Sequence, residues 1–273
     1  MYASDLFRNQ IALVTGGRSG IGYAIARQML QLGATVVIAS RKEAPLKKAA
    51  ETLAAFGPCD YRACDIRETE QIRALAAYIR EKYGRLDILV NNAGGQFPAL
   101  AEMINDKGWN AVINNNLNGT FFMTREMFTA FFRPQKGGII INITADVHRG
   151  FPGMMHTGAA RAGVENMTKT LAVEWSDDHI RINCVAPGII ESSGLDTYPK
   201  PIQDMFEAAR NAIPLKRFGK VEDVANAVCF LASPLAAYIT GISLYVDGAQ
   251  HLSYDKMGLP NVLKSFLNPP PGT

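Results

Sequence analysis

Short apolar runs alternate with longer amphipathic stretches along nearly the whole chain. IALVT (11–15), TVVIAS (35–40), LDILVNN (86–92), GGIIINIT (137–144), RINCVAP (181–187) and ISLYVDG (242–248) are rich in β-branched residues and apolar at both odd and even positions. A strand with one wet face alternates, whereas a strand covered on both faces does not. These runs therefore predict a parallel sheet buried between helices. YRACD (61–65) is a weaker candidate for a seventh strand. Between the runs lie patterns of helical period. Residues 20–32 leave a Gly-rich turn and end before Gly33, a C-terminal stop. Others are KEAPLKKAAETLAAF (42–56), TEQIRALAAYIREKYG (69–84), a long segment reaching Phe132 before Pro134, RAGVENMTKTLAVEW (161–175) and KVEDVANAVCFLAS (220–233).

The β-α-β rhythm with right-handed crossovers predicts an α/β fold: a single doubly wound domain whose parallel sheet is flanked by helices. The catalytic domain is expected over 1–251 and a polar, proline-rich tail over 252–273. The long irregular stretch 188–214 has the length of a lid or substrate loop. With 48% apolar and 19% charged residues, 273 residues are enough for a large core. A net charge of +3, without a basic stripe carrying interleaved aromatics, gives no reason to expect nucleic acid as a partner. No apolar run reaches the roughly 20 residues of a membrane span, and MYASDLFRNQ has no signal-peptide core. PPPGT is neither a peroxisomal address nor a prenylation box. A cytoplasmic protein, with no membrane partner, is expected. Cys59, Cys64, Cys184 and Cys229 lack zinc-ligand or CxxC spacing, so reduced, mostly buried thiols and no metal are expected.

Chemistry enters at LVTGGRSGIG (13–22), which follows the first strand and opens the first helix. Glycines there let backbone approach a pyrophosphate, whose charge meets the helix N-terminus. Gly16, Arg18, Ser19, Gly20, Ile21 and Gly22 are the candidates. The end of the second strand selects the cofactor. A site for NAD carries a carboxylate there for the ribose 2′-hydroxyl, but this chain reads Ser40, Arg41 and Lys42. Arg41 can grip a 2′-phosphate in bidentate fashion, with Arg18 closing on it, so NADP(H) is favoured. Asp65, followed by Ile66, is placed either to accept from adenine or to cap the helix beginning near Arg67. In NNAG (91–94), Asn92, Ala93 and Gly94 are small enough for backbone contact with the cofactor, while the asparagines can equally tie loops together.

Together these residues resemble the short-chain dehydrogenase/reductase family over residues 9 to about 250. TGGRSGIG, NNAG, the NNNLNGTF run around Asn116 and the PG of VAPGII match that family's markers. The resemblance implies a seven-stranded parallel sheet and a homo-oligomer, usually a tetramer. VVIASRK, LVNNAGGQF, KGWNAV, HTGAARAGVENMTK, LAVEW and IRINCVAPGII look most like peroxisomal trans-2-enoyl-CoA reductase and its bacterial relatives. A bacterial group of terpenol or terpenoid acyl-CoA dehydrogenases shares HTGAARAG and SSGLDTY-like segments.

Carbonyl chemistry in this family uses Ser, Tyr and Lys. Here the Tyr slot holds Thr157 and the Lys slot Arg161. Counting back puts the Ser slot at Thr144, whereas following the strand puts it at Ala145. Glu165 and Lys169 form an alternative pair one helical turn on, with Lys169 reading as a surface residue. A threonine hydroxyl is a poor general acid for an alkoxide. Hydride delivery to C3 of an enoyl thioester instead spreads charge into an enolate, which hydrogen-bond donors such as Thr144 and Thr157 can stabilise without transferring a proton. Arg161, always protonated, holds the ribose and adds positive charge but cannot relay protons. The resemblance makes Asn116 a helix-kinking residue that anchors water. Asp146 is the nearest carboxylate after the fifth strand. His156 is expected to turn away if Thr157 turns in. Pro187 and Gly188 shape the nicotinamide pocket, and the Ile190 backbone is a candidate for its carboxamide. Phe97, Phe151, Met154, Met155 and the 191–210 segment are expected to wall an acyl-CoA pocket, with Lys200, Lys216 and Arg217 as candidates for the CoA phosphates by position.

The expected function is NADPH-dependent reduction of the C2=C3 bond of trans-2-enoyl-CoA. The alternatives are a dehydrogenase of a terpenol-like alcohol or a 3-hydroxyacyl thioester, its oxygen handled by Thr157 or Tyr198, and a non-catalytic NADP-binding protein.

Overall fold

In a computed structural model, which describes residues 3–191 and 208–253, seven strands form one all-parallel sheet in the order β3-β2-β1-β4-β5-β6-β7. The strands are β1 (Ile11–Thr15), β2 (Thr35–Ser40), β3 (Cys59–Ala63), β4 (Ile88–Asn91), β5 (Gly138–Ile143), β6 (Ile180–Pro187) and β7 (Ser243–Val246). Every residue of β1 and of β4 is buried, as double-sided coverage requires. The YRACD candidate falls two residues earlier, at Cys59–Ala63. As the sheet edge it is only half-buried, which is why its apolar signal is weak.

Helices α1 (Gly20–Gln31), α2 (Glu43–Leu53) and α8 (Val221–Ala232) cover one face, packing Ile25, Met29, Leu46, Leu53 and Val228 on Val14, Val36 and Ile141. On the other face α3 (Thr69–Tyr83), a long compound helix and α7 (Met155–Glu174) bury Ile72, Leu75, Phe131, Phe132 and Leu171 over Leu13, Leu89 and Ile140. The compound helix is α4 (Asp106–Ile113), a π-helical turn (Asn114–Asn118), α5 (Gly119–Met127), a second π turn (Phe128–Phe132) and α6 (Arg133–Gln135). It runs past Pro134 instead of stopping before it. Proline is tolerated here because π turns break the regular i→i−4 ladder just upstream.

Two expectations on helix ends diverge. Gly33 does stop α1, in the left-handed region at φ 93°. By contrast α7 begins at Met155, six residues before the periodic pattern at Arg161, because Thr157 and Gly158 weaken the apolar signal of its first turn. His156, Thr157 and Arg161 therefore sit on one continuous helix.

A chain of buried polar side chains links the layers. Asn91 Nδ2 donates to Thr124 Oγ1 and to Asn142 Oδ1, Asn142 Nδ2 donates to Thr168 Oγ1, and Thr168 donates to the Val164 carbonyl. The Cys184 thiol donates to Thr168 Oγ1. The four cysteines are free, and burial pushes each thiol up to about 12. At pH 8 the folded protein is expected to react with a disulfide reagent at least about 100-fold more slowly than the unfolded chain, read as thiol release over time. Fast labelling of the folded form would contradict the packing. No described helix is long and apolar enough to cross a membrane. The tail from residue 254 lies outside the described residues, as do Tyr198, Lys200 and most of the 191–210 segment.

Candidate active site and nucleotide cleft

The strand order reverses between β1 and β4, and in such sheets the crevice at the strands' carboxyl ends is where ligands bind. A cavity of about 280 Å³ lies there. Its walls come from the turns after four strands: Gly16, Arg18 and Ser19 after β1, Ser40, Arg41 and Lys42 after β2, Cys64 and Ile66 after β3, and Asn92, Ala93 and Gly94 after β4, with Asn115 alongside. A second cavity of about 600 Å³ is bounded by Ser19, Gly20, Ile21 and Ile190. Most of the expected cofactor residues line one or the other, whereas Gly22, Asp65, Arg161, Pro187 and Gly188 line neither.

The glycines are needed for space. Gly16 holds φ 68°, and a Cβ there would lie 2.7 Å from Asn92 Nδ2; one at Gly22 would collide with the same atom. Asn92 occupies that gap because its amide donates to the Thr15 carbonyl, while Thr15 Oγ1 receives the N–H groups of Asn92 and Ala93. The loop-tying reading of the NNAG asparagines thus holds, and Asn92 lines the cleft as well. At the start of α1, Ser19 makes no side-chain cap and no acidic residue occupies the first turn, leaving the N-terminal N–H groups for an anion. The Ser40 hydroxyl is buried with no partner among the described residues. Together with exposed Arg18, Arg41 and Lys42, this orphaned donor fits a nicotinamide dinucleotide.

Asp65 does not cap α3, whose N-cap position is Glu68. Its carboxylate accepts from the Arg67 backbone and pairs with the Arg67 guanidinium, which holds it below the usual carboxylate range. Asp65 closes a local turn, and the neighbouring Cys64 and Ile66 line the cleft in its place.

Asn116 sits inside the π turn, fully buried, and clasps Gly95 from both sides: Nδ2 donates to the Gly95 carbonyl at 2.7 Å and Oδ1 accepts its N–H at 3.2 Å. A second donation to the Val112 carbonyl holds the kink. The kinking residue expected at 116 is therefore also the anchor of the NNAG loop. Beside it, Arg161 is buried, with Nη1 donating to the Ile143 carbonyl at 2.8 Å. Nη2 lies where a Gly94 Cβ would be only 2.5 Å away, so Gly94 is small because a guanidinium reaches the cleft beneath it. Burial lowers Arg161 to about 10, leaving it protonated near neutral pH.

Thr157 is fully buried on the first turn of α7, and its hydroxyl lies 3.4 Å from His156 Nδ1. His156 is likewise fully buried, its Nδ1 accepting from the Thr157 N–H. The two expected hydroxyls are not equivalent. Thr144 donates to the Val185 carbonyl at 3.3 Å and lies against Glu165, whose carboxyl burial pushes upward, so it is committed to β6 and α7. Ala145 offers no polar group, and Lys169 is exposed, as a surface residue should be.

Asp146 receives the His148 N–H, and its own N–H donates to the Pro187 carbonyl. Gly188 must be glycine because a Cβ would meet Asp247 and Gln250. Ile189 and Glu191 make the bonds of the bridge to Gly219, which directs the N–H and C=O of Ile190 to the other side. Phe97 and Met154 are brought together by the Ala99–Met154 bridge, and Phe151 packs on Gly158. Met155 is exposed. Lys216 donates to the Asn211 carbonyl and Arg217 pairs with Asp223, so both basic residues already have partners within the chain.

The sequence model of the enoyl-(acyl carrier protein) reductase family matches residues 16–251, spanning the whole of this arrangement. The chain belongs to the short-chain dehydrogenase/reductase family. As a member, this oxidoreductase is 39% identical to the peroxisomal 2,4-dienoyl-CoA reductase [(3E)-enoyl-CoA-producing] of Pongo abelii, over 98% of this chain and 91% of that protein. It is 40% identical to the 3-oxoacyl-[acyl-carrier-protein] reductase of Thermotoga maritima, over 88% of this chain and 96% of that protein. Among solved structures, the citronellol catabolism dehydrogenase of Pseudomonas aeruginosa PAO1 superposes with a TM-score of 0.83 at 42% identity, covering 92% of this chain and 98% of that one.

Sequence reasoning missed Thr15 and Asn115. A hydroxyl ending β1 could have been flagged as a partner for the loop after β4, since adjacent parallel strands place their ends together. Asn115 carries no such signal: only the π turn rotates it toward the cleft.

Proposed function

We propose that this chain is an NADPH-dependent reductase of α,β-unsaturated acyl-CoA thioesters, converting trans-2-enoyl-CoA to the saturated thioester. The observation that carries the reading is the pair Thr157 and Arg161, both buried, where the family's carbonyl chemistry needs a phenol and an ammonium group. Bound NADPH would supply the hydride, its phosphates among Arg18, Arg41 and Lys42 and its ribose at Arg161. With hydride added at C3, the π electrons move to the thioester oxygen and a proton is then added at C2. Thr157 donates a hydrogen bond to the resulting enolate oxygen, and Arg161 opposes its charge from a water-poor site. Neither residue has to surrender a proton, so the missing tyrosine is no handicap. The half-buried Phe151 and Met154, with exposed Phe97, offer apolar surface to the acyl chain.

The name of the Pongo abelii relative favours a vinylogous variant, in which the same anion extends over one more double bond. Hydride then adds at C5 of a 2,4-dienoyl thioester, and protonation at C2 leaves a 3-ene. The name of the Pseudomonas aeruginosa neighbour favours instead the oxidation of an alcohol.

NADPH oxidation with crotonyl-CoA, 2-decenoyl-CoA and 2,4-decadienoyl-CoA, run beside NADP+ reduction with citronellol, separates these readings. Turnover of the unsaturated thioesters, with product analysis locating the remaining double bond, is the expected result. Turnover of citronellol alone would overturn the proposal, and dinucleotide binding without any turnover would leave a binding protein.

A further inference from the structure

One ring nitrogen of His156 is buried without a hydrogen-bond partner among the described residues. The residue is fully buried as the second residue of α7, and its ring meets Phe97 edge to face, centroids 4.6 Å apart. The Thr157 backbone N–H is shared between the Met154 carbonyl at 3.0 Å and Nδ1 at 2.9 Å. A ring nitrogen that accepts carries no hydrogen, so the proton of the neutral imidazole sits on Nε2. That nitrogen is buried and has no hydrogen-bond partner among the described residues. Leaving such a donor unmatched is unfavourable. Buried polar groups without protein partners call for an explanation, and a ligand acceptor is one.

The surroundings identify the acceptor. Phe97 closes one side of the imidazole, and on the other the Thr157 hydroxyl lies 3.4 Å from Nδ1. The reacting part of an unsaturated acyl thioester has one strong acceptor, its carbonyl oxygen; the sulfur is weak. We propose that the Nε2–H of His156 donates to the carbonyl oxygen of the bound acyl-CoA, sharing with Thr157 the charge that develops there. This rests on the reading of the chain as a reductase of unsaturated acyl-CoA. It assigns His156 direct contact with substrate, and it gives the first turn of α7 two neighbouring donors. The donation grows stronger as the oxygen becomes an enolate, so it acts mainly on kcat.

The test combines spectroscopy of the wild type with two variants. In protein labelled with 15N-histidine, His156 is expected to show the Nε2–H tautomer. Its Nε2 resonance is expected to move when hexanoyl-CoA is added with NADP+, but not with S-hexyl-CoA, a thioether lacking the carbonyl. His156→Leu is expected to lower kcat about 30-fold, below the loss of a sole oxyanion donor because Thr157 remains. KM and NADPH affinity should change by less than about threefold, as for an interaction made mainly in the transition state. His156→Gln, whose amide N–H reaches the same position, is expected to recover most of that loss. An Nδ1–H tautomer, an equal response to both CoA derivatives, or a His156→Leu variant with wild-type kcat would each overturn the assignment. Should His156→Leu fail to fold, the wild-type resonance decides alone. A carbonyl-dependent shift in a protein that reduces no enoyl thioester would sink the proposed reaction and keep the donor; the converse result would do the opposite.

Discussion

Replacing Arg161 with methionine is expected to lower kcat/KM about 1,000-fold, the upper range for removal of one fixed electrostatic contact, while leaving the melting temperature unchanged or higher. The opposite directions follow from its setting. Arg161 is a buried side chain that carries a full charge, and no carboxylate among the described residues pairs with it. Its hydrogen bond to the Ile143 carbonyl is a single contact for a group with five donors, and its Nε has no partner among the described residues. Desolvation pulls its pKa down to about 10, a sign that the fold disfavours the charge it keeps. An apolar side chain of similar length removes that unfavourable term, as replacing buried charges often does. What is lost is the positive end beneath Gly94, at the wall of the nucleotide cleft. Steady-state kinetics beside thermal melts check both halves. If the variant keeps activity within threefold, Arg161 is a packing residue; if it melts well below the wild type, the guanidinium is structural.

Arg41→Asp is expected to raise the Kd for NADPH about 100-fold while NADH binding stays level or tightens. A charge-assisted hydrogen bond contributes about 1.5–3 kcal/mol, and reversal adds repulsion between carboxylate and 2′-phosphate. The cleft geometry supports that asymmetry: Arg41 stands exposed between Ser40 and Lys42 at the cleft wall, and Arg18 belongs to the same cavity. Titration of each dinucleotide by fluorescence reads the two constants. Equal losses for both would remove Arg41 from phosphate recognition.

Much of this architecture is legible in one dimension because double-sided burial leaves a local mark. The β-branched runs at 11–15 and 35–40 coincide with β1 and β2 residue for residue, since each strand's burial is written into its own composition. The edge strand β3 was weak for the same reason, having little to bury. The glycine loop was equally legible: backbone approach at Gly16 and Gly22 excludes a Cβ wherever the rest of the chain goes. Asp65 shows the limit of that logic, because adenine contact and helix capping ask for the same residue type, and the structure pairs its carboxylate with Arg67 instead of capping α3.

The sequence by itself therefore determined the layered parallel sheet, the glycine loop of a nucleotide site and the replacement of phenol and ammonium by Thr157 and Arg161. Only the tertiary structure decided that Thr144 is spent on the Val185 carbonyl, that Asn116 clasps Gly95, and that His156 Nε2 is buried without a partner among the described residues. The reason is physical. Burial and chain stiffness act on neighbours along the backbone, so they leave periodic traces. A hydrogen bond is settled by whichever group arrives from a distant strand or helix, and no local pattern records that arrival.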